Sequence, residues 1–426
     1  MRSLRLNSAL IIQKIIEDKV FFSDLKSRID PRCISTTNMI ILTTLRNWVG
    51  LRKALYSFLD NKIPNKYRLA EYLLIQGMAE LLFMGTAHYA VIDETVDQVK
   101  RNCGKSLSGL VNAVLRNVIA HKAELRTRVH KSDLMPEEFR AILKDYGKVQ
   151  IKKINGSIAW QPWLDISVKD NARYWAKKLS GDLLPNGSLR IKRRTKIERL
   201  PGYEEGQWWV QDAAAAMPVQ VMGWINGLNV IDLCAAPGGK TAQLLARGAR
   251  VTALDVSQER METLQQNMNR LGYHNLRTKV IDAAEYMQTT KESYDAVLLD
   301  APCSATGTLR RHPEVIHIKT QDDVDRQIQT QRKLLSLCSN ILRVGGILVY
   351  SVCSISKDEG EKQIEWFLQE HKEFKIVPIT LKEISTYGKW HENPILPNGT
   401  IRTLPYFERD RSGIDSFFIC KMQRII

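Results

Sequence analysis

Apolar positions in the first 124 residues recur every three or four places, whereas beyond residue 207 they gather into short continuous runs. In the first stretch Leu69, Tyr72, Leu73, Gln76, Ala79, Glu80 and Phe83 share one face of a 3.6-residue helix, as do Leu107, Leu110, Val111, Val114, Leu115 and Val118. Breaks at Ile29-Asp30-Pro31, Asp60-Asn61 and Cys103-Gly104 divide the stretch into several helices, without strand-like alternation. Residues 1–125 are therefore read as an all-helical domain.

Residues 126–205 are dominated by polar and basic side chains and by turn-formers (Gly147, Gly156, Pro162, Gly181, Pro185-Asn186-Gly187, Gly202), which predicts a small α+β connecting domain. From 206 to 426 the apolar runs 230–233, 250–254, 278–281, 296–299 and 347–351 are separated by helix-like spans. That texture predicts an α/β Rossmann-like domain, a mostly parallel sheet with helices on both faces. Runs 374–378 and 416–421 are expected to add two edge strands.

The chain has 426 residues and a formal net charge of +16. Its length calls for more than one domain. Residues 1–200 hold 36 Lys+Arg against 19 Asp+Glu, and residues 201–426 hold 26 against 27, so the excess lies in the first half. Residues 126–200 alone hold 18 against 8, with Trp160, Trp163, Tyr174 and Trp175 interleaved. Cations displace counterions from phosphates and rings stack on unpaired bases, so this stretch is a candidate RNA-binding segment. A solvated basic face around core aromatics would look the same.

No apolar run reaches membrane-spanning length and the start lacks a signal-peptide core, so a cytoplasmic protein with no membrane partner is expected. Seven cysteines without pairwise spacing read as reduced thiols, and none has zinc-site spacing, so no metal is expected.

Val230-Ile231-Asp232-Leu233 runs into the turn Cys234-Ala235-Ala236-Pro237-Gly238-Gly239-Lys240, with a helix expected from about Thr241. Glycines there let the backbone approach a ligand at the carboxyl end of a strand, as an adenosyl cofactor requires. The next predicted strand ends in Asp255, placed to accept hydrogen bonds from ribose hydroxyls. The third ends in Asp282, placed to reach an adenine amino group, and the fourth in Asp300. A nicotinamide site would need Gly-x-Gly-x-x-Gly, which is absent. Each aspartate alone could equally be a helix N-cap.

Two cysteines follow neighbouring predicted strands: Cys303 in Asp300-Ala301-Pro302-Cys303-Ser304 and Cys353 in Tyr350-Ser351-Val352-Cys353-Ser354. Cytosine C5 is a poor nucleophile until a group adds at C6, and a thiolate can add there and later leave. The flanking proline and serines mark loops, whereas Cys33, Cys234, Cys338 and Cys420 read as core thiols.

These blocks, with Gln211-Asp212-Ala213, Ala305-Thr306-Gly307 and Arg310-Arg311-His312-Pro313, resemble the RNA cytosine-C5 methyltransferases of the Sun (Fmu) type. Within that family the resemblance is strongest to bacterial enzymes acting on small-subunit (16S) ribosomal RNA. Residues 67–124, with Glu94-Thr95-Val96 and Asn112-Ala113-Val114-Leu115-Arg116, are similar to its NusB-like RNA-binding domain.

The resemblance implies that Cys353 is the nucleophile and that Cys303 assists release of the methylated base. It implies S-adenosyl-L-methionine contacts from Cys234, Ala235, Ala236, Pro237, Gly238, Gly239 and Lys240, then Asp255, Asp282 and Asp300. Asp300 and Lys240 would also face the cytosine, and no obligatory protein partner is implied. Where the family has threonine before the nucleophile this chain has Val352, and Asp165 and Ser167 stand for its arginine and asparagine. Asp165, on a strand expected to face RNA, would repel phosphate. Rival readings are a transfer-RNA cytosine-C5 methyltransferase and a non-catalytic RNA-binding assembly factor.

Overall fold

The computed structural model describes residues 3–192 and 196–426. Arg193 and Arg194, counted in the basic excess, lie outside the described residues. The chain forms two compact units, Met1–Gln161 with Leu309–Thr320, and Pro162–Thr308 with Gln321–Ile426. Among the described residues no helix is long and apolar enough to cross a membrane.

The first unit is helical. Its helices include Leu4–Glu17, Ile34–Tyr56, Arg68–Ala79, His88–Asn102 and Ser108–Ala120. Ser3 opens the first, its hydroxyl accepting the Leu6 amide at 3.1 Å. Ser108–Ala120 buries Val111, Val114, Leu115 and Val118, the face its spacing predicts, while Leu110 stays exposed. Arg68–Ala79 departs from the amphipathic pattern, because every residue from Ala70 to Ala79 is buried. A helix covered all round is the centre of its bundle. The glutamates in it and just after it are kept there by pairing. Glu71 meets Arg52 at 2.7 Å, and Glu80, in the wider turn that follows, takes two bonds of 2.8 Å from Arg5.

The second unit holds two sheets. The smaller consists of β1 (Leu164–Val168), β2 (Asp182–Leu183), β3 (Leu189–Ile191) and β4 (Trp208–Val210), antiparallel in the order β2-β3-β1-β4. Its core is Ile166, Leu189, Ile191, Trp175 and Trp208. Trp175 is therefore a core residue rather than a stacking platform. Gly202, at φ +86°, lies so close that a Cβ there would come within 2.4 Å of the indole. Tyr174 does stand half exposed.

Asp165 does not face solvent either. It is buried, its two oxygens each 2.6 Å from the Arg190 guanidinium, and Oδ2 also accepts the Ala213 amide at 3.1 Å. The expected phosphate repulsion is removed by this pairing.

The larger sheet contains β5 (Asn229–Leu233), β6 (Arg250–Asp255), β7 (Arg277–Val280), β8 (Tyr294–Asp300), β9 (Leu342–Val352), β10 (Phe374–Ile376), β11 (Ile401–Arg402) and β12 (Phe418–Arg424). The order is β10-β12-β9-β8-β5-β6-β7, with β11 paired to β12. Strands β5 to β9 pair in parallel, and β12 runs antiparallel to β9 and β10. Successive residues of β5 alternate between two cores: Ile231 and Leu233 enter one, Val230 the other. Of the two expected edge strands, β10 is an edge and β12 is interior. The apolar sequence Phe417-Phe418-Ile419-Cys420 suits a strand covered on both faces.

Candidate active site

The strand order reverses between β5 and β8, and at such a switch point the loops after the strands diverge to leave a crevice. The turn after β5 lies there. Cys234 leaves the strand at φ +62° and Gly238, at φ +101°, opens the helix Gly239–Ala246. A Cβ on Gly238 would come within 2.9 Å of Leu264, so this position needs glycine for both conformation and space. Gln211 and Asp212 buttress the turn from outside. Gln211 Nε2 reaches Gln243 at 3.4 Å, and Asp212 caps the helix Ala213–Gln220.

The four acidic strand ends separate into different environments. Asp255, nearly buried, accepts the Ala236 amide at 3.1 Å and the Ser257 amide at 3.0 Å, binding the cofactor-type turn to β6. Asp282 is exposed and caps the helix Ala283–Thr289 through the Ala284 and Glu285 amides, both at 3.0 Å. Asp300 accepts Lys240 Nζ at 2.6 Å and the Ser351 hydroxyl at 2.8 Å.

Asp232 is fully buried beneath the turn. Thr241 donates to its Oδ2 at 2.6 Å while Oδ1 has no hydrogen-bond partner among the described residues, and burial raises its pKa to about 7. It belongs to the turn's support.

The register Asp300↔Ser351 brings the ends of β8 and β9 level, and the Ala301 amide extends the ladder to Ser351 O at 2.9 Å. Cys303 and Cys353 leave these adjacent ends with sulfurs 3.4 Å apart. Gly307 passes back against the second loop, its amide 2.9 Å from Cys353 O. A Cβ there would lie 2.1 Å from Ser416 O, which explains a glycine in the Ala-Thr-Gly sequence.

The Cys303 thiol is held well above its ordinary pKa by the hydrogen bond with Cys353, by burial and by the charge of Glu359. It is therefore held as a thiol at neutral pH. Burial works against the Lys240 ammonium, but Asp300 and, further off, Cys353 keep its pKa raised, so it stays charged. Phe417 covers it, 5.3 Å from the ring centroid.

Among the expected core thiols, Cys338 and Cys420 are buried, whereas Cys33 and Cys234 are half-buried. A cavity at the opposite, amino-terminal ends of the strands, lined by Asn229, Arg250, Tyr294 and Arg343, contains none of the candidate groups.

Two features were missed in the sequence. Glu359 and Gln331 lie beneath the cysteine loops and bond to the residues that follow and precede the thiols. The serine after each cysteine was the available signal. The other is the excursion of Leu309–Thr320 into the helical unit. There Arg310 O accepts Arg46 at 2.7 Å and His317 Nε2 donates to Leu45 O at 2.8 Å.

A glycine turn at the switch point of a parallel sheet closed by an antiparallel strand, with acidic strand ends, defines the class I methyltransferase fold. A helical domain precedes it. The family described as 16S rRNA methyltransferase RsmB/F matches residues 220–423, and the NusB family matches residues 3–120.

The chain is 30% identical over 386 residues to ribosomal RNA small subunit methyltransferase B of Proteus mirabilis, covering 86% of this chain and 91% of the relative. It is 29% identical over 393 residues to the protein of that name in Yersinia pestis, covering 88% and 92%. The crystal structure of PH0851 superposes with a TM-score of 0.73 at 24% identity over 99% of both chains. NSun6 from Pyrococcus horikoshii with SFG superposes with a TM-score of 0.58 at 20% identity, over 68% of this chain and 98% of that one. These two show likeness of fold. The chain belongs to the RsmB/F family of methyltransferases.

Proposed function

We propose that the protein transfers a methyl group from S-adenosyl-L-methionine to C5 of a cytosine in 16S ribosomal RNA through a covalent bond between Cys353 and C6. The observation that carries this reading is the pairing of two sulfurs 3.4 Å apart at the ends of β8 and β9, with Lys240 and Asp300 beside them. Methylation of an exocyclic amino group needs no such nucleophile. A retired scaffold has no need of one thiol poised against another.

In this reading residues Cys234 to Lys240 form the cradle for S-adenosyl-L-methionine. The fit rests on the turn's place at the switch point, where Gly238, left-handed and packed against Leu264, leads the backbone into the helix Gly239–Ala246. Asp255 and Asp282 present carboxylates at successive strand ends for ribose and adenine. Bound there, S-adenosyl-L-methionine supplies an electrophilic methyl group.

Cys353, as thiolate, bonds to C6 and makes C5 enamine-like. Lys240 and Asp300 orient the ring and place a positive charge where electron density develops. After C5 is alkylated a base, such as water, takes its proton, the freed pair re-forms the C5–C6 double bond, and the C6–S bond breaks with its electron pair returning to Cys353. Cys303, held as a thiol against that sulfur, assists this release. The basic span 126–205 and the helical span 1–125 engage the RNA, leaving 206–426 as the catalytic part, in the cytoplasm where ribosomal RNA is assembled.

Incubation of the purified chain with labelled S-adenosylmethionine and small-subunit RNA is expected to give methyl transfer that Cys353→Ala abolishes. Unchanged transfer in that variant contradicts the role of Cys353. Transfer to transfer RNA in preference would favour the neighbouring substrate class. Bisulfite sequencing of ribosomal RNA with and without the protein locates the target.

A further inference from the structure

Glu359 is fully buried between the end of β9 and the helix Glu361–Glu370. Its Oε1 accepts the Ser304 amide at 2.8 Å and Gln331 Nε2 at 3.0 Å. Its Oε2 accepts the Ser304 and Ser354 hydroxyls, each at 2.5 Å. One carboxylate thus holds the residue after Cys303 and the residue after Cys353. Thr306 Oγ1 sits 3.0 Å from the Ser304 hydroxyl and 3.1 Å from that of Ser354, tightening the same knot.

Gln331 extends the network by donating to Pro302 O at 2.9 Å, and Gln363 fixes Gln331 at 2.9 Å. The backbone joins the loops at Ala301 and again at Gly307. Between those points the bonds that join them run through these side chains. A buried carboxylate is costly unless each oxygen is hydrogen-bonded, and four donors satisfy this one. A planar end group with four hydrogen-bonding positions, here a carboxylate, reaches both loops at once.

We propose that Glu359 is a positioning residue which locks the two cysteine loops in register, so that both sulfurs are delivered to one point. The inference rests on the reading of Cys303 and Cys353 as a working pair, and its own readout needs neither RNA nor methyl donor. Diamide, a diazene oxidant, takes two hydrogens from a thiol pair, forming an S–S bond and a hydrazine. Closing 3.4 Å to a disulfide of about 2.05 Å needs little movement when the loops are in register.

The full-length wild-type chain is expected to form the Cys303–Cys353 link, identified by peptide mapping. Glu359→Ala should form it at least about tenfold more slowly, because an error of about 1 Å in placement is enough to lose that much. Glu359→Gln keeps the shape, can accept from the Ser304 amide and donate to the hydroxyls, and should stay near the wild-type rate.

Should Glu359→Ala fail to fold, Glu359→Asp, one methylene too short to reach both loops, is expected to show the same slowing. Wild-type cross-linking rates in the variant that folds would overturn the proposal. In methyl transfer the slowed variant should lose kcat with KM for both substrates little changed. If cross-linking slows as expected while the wild-type chain methylates no RNA, the proposed function fails and the brace stands.

Discussion

Four aspartates end four neighbouring strands, yet only their surroundings decide what each can do. Asp300 is neutralised by Lys240, Asp255 ties two loops, Asp282 caps a helix, and Asp232 is sealed beneath the turn. Their spacing was legible in the sequence. Their division of labour was not, because it depends on which oxygens meet amides from distant turns.

Asp232 gives a test at this scale. Its folded pKa of about 7 lies above the unfolded value near 3.9, so the folded state keeps a proton that the unfolded chain loses. Stability therefore falls as pH rises from about 4 to 7 and levels off above. Asp232→Asn should remove up to roughly 3 kcal/mol of the fall between pH 5 and pH 8, read from urea midpoints at those two values. An unchanged slope would mean that Asp232 is ionised throughout.

Asp165 teaches the complementary lesson. An acidic residue on a strand expected to face RNA looked like a defect in RNA binding and is half of a buried ion pair. Arg190→Ala, which strands the Asp165 carboxylate, should cost about 3–5 kcal/mol in chemical denaturation.

Among elements, the strands β5 to β9 were readable because a parallel strand covered on both faces is a continuous apolar run. The interior place of β12 was not, since pairing partners are set by closure of the sheet and not by the strand's own composition. The helix Arg68–Ala79 likewise carries an amphipathic spacing but lies at the centre of its bundle, where Glu71 and Glu80 survive because Arg52 and Arg5 reach them.

The turn after β5 is where an element meets its task. Gly238→Ala forces a side chain into a left-handed conformation and against Leu264. It should lower stability by about 1–3 kcal/mol and weaken S-adenosylmethionine binding in calorimetry, leaving RNA affinity unchanged.

At the scale of the whole molecule, the charge asymmetry was visible from counting alone, because net charge needs no fold. The route of Leu309–Thr320 was invisible, because its anchors, Arg46 and Leu45, lie more than two hundred residues away. Lys148 and Lys152, exposed one turn apart on the helix Lys148–Ile158, represent the basic stretch. Replacing both with alanine should lower the dependence of log affinity on log salt by about 1 for each phosphate that is no longer neutralised. An unchanged slope would place the RNA elsewhere.

The claim on which the function depends is a transient bond from Cys353 to RNA, released with the help of Cys303. It is tested by denaturing electrophoresis of Cys303→Ala after incubation with substrate RNA and S-adenosylmethionine, beside the Cys303→Ala/Cys353→Ala double variant. A slow-migrating protein–RNA species in the first and none in the second is the expected result. The same species in both, or no species in either alongside normal turnover of Cys303→Ala, would contradict it.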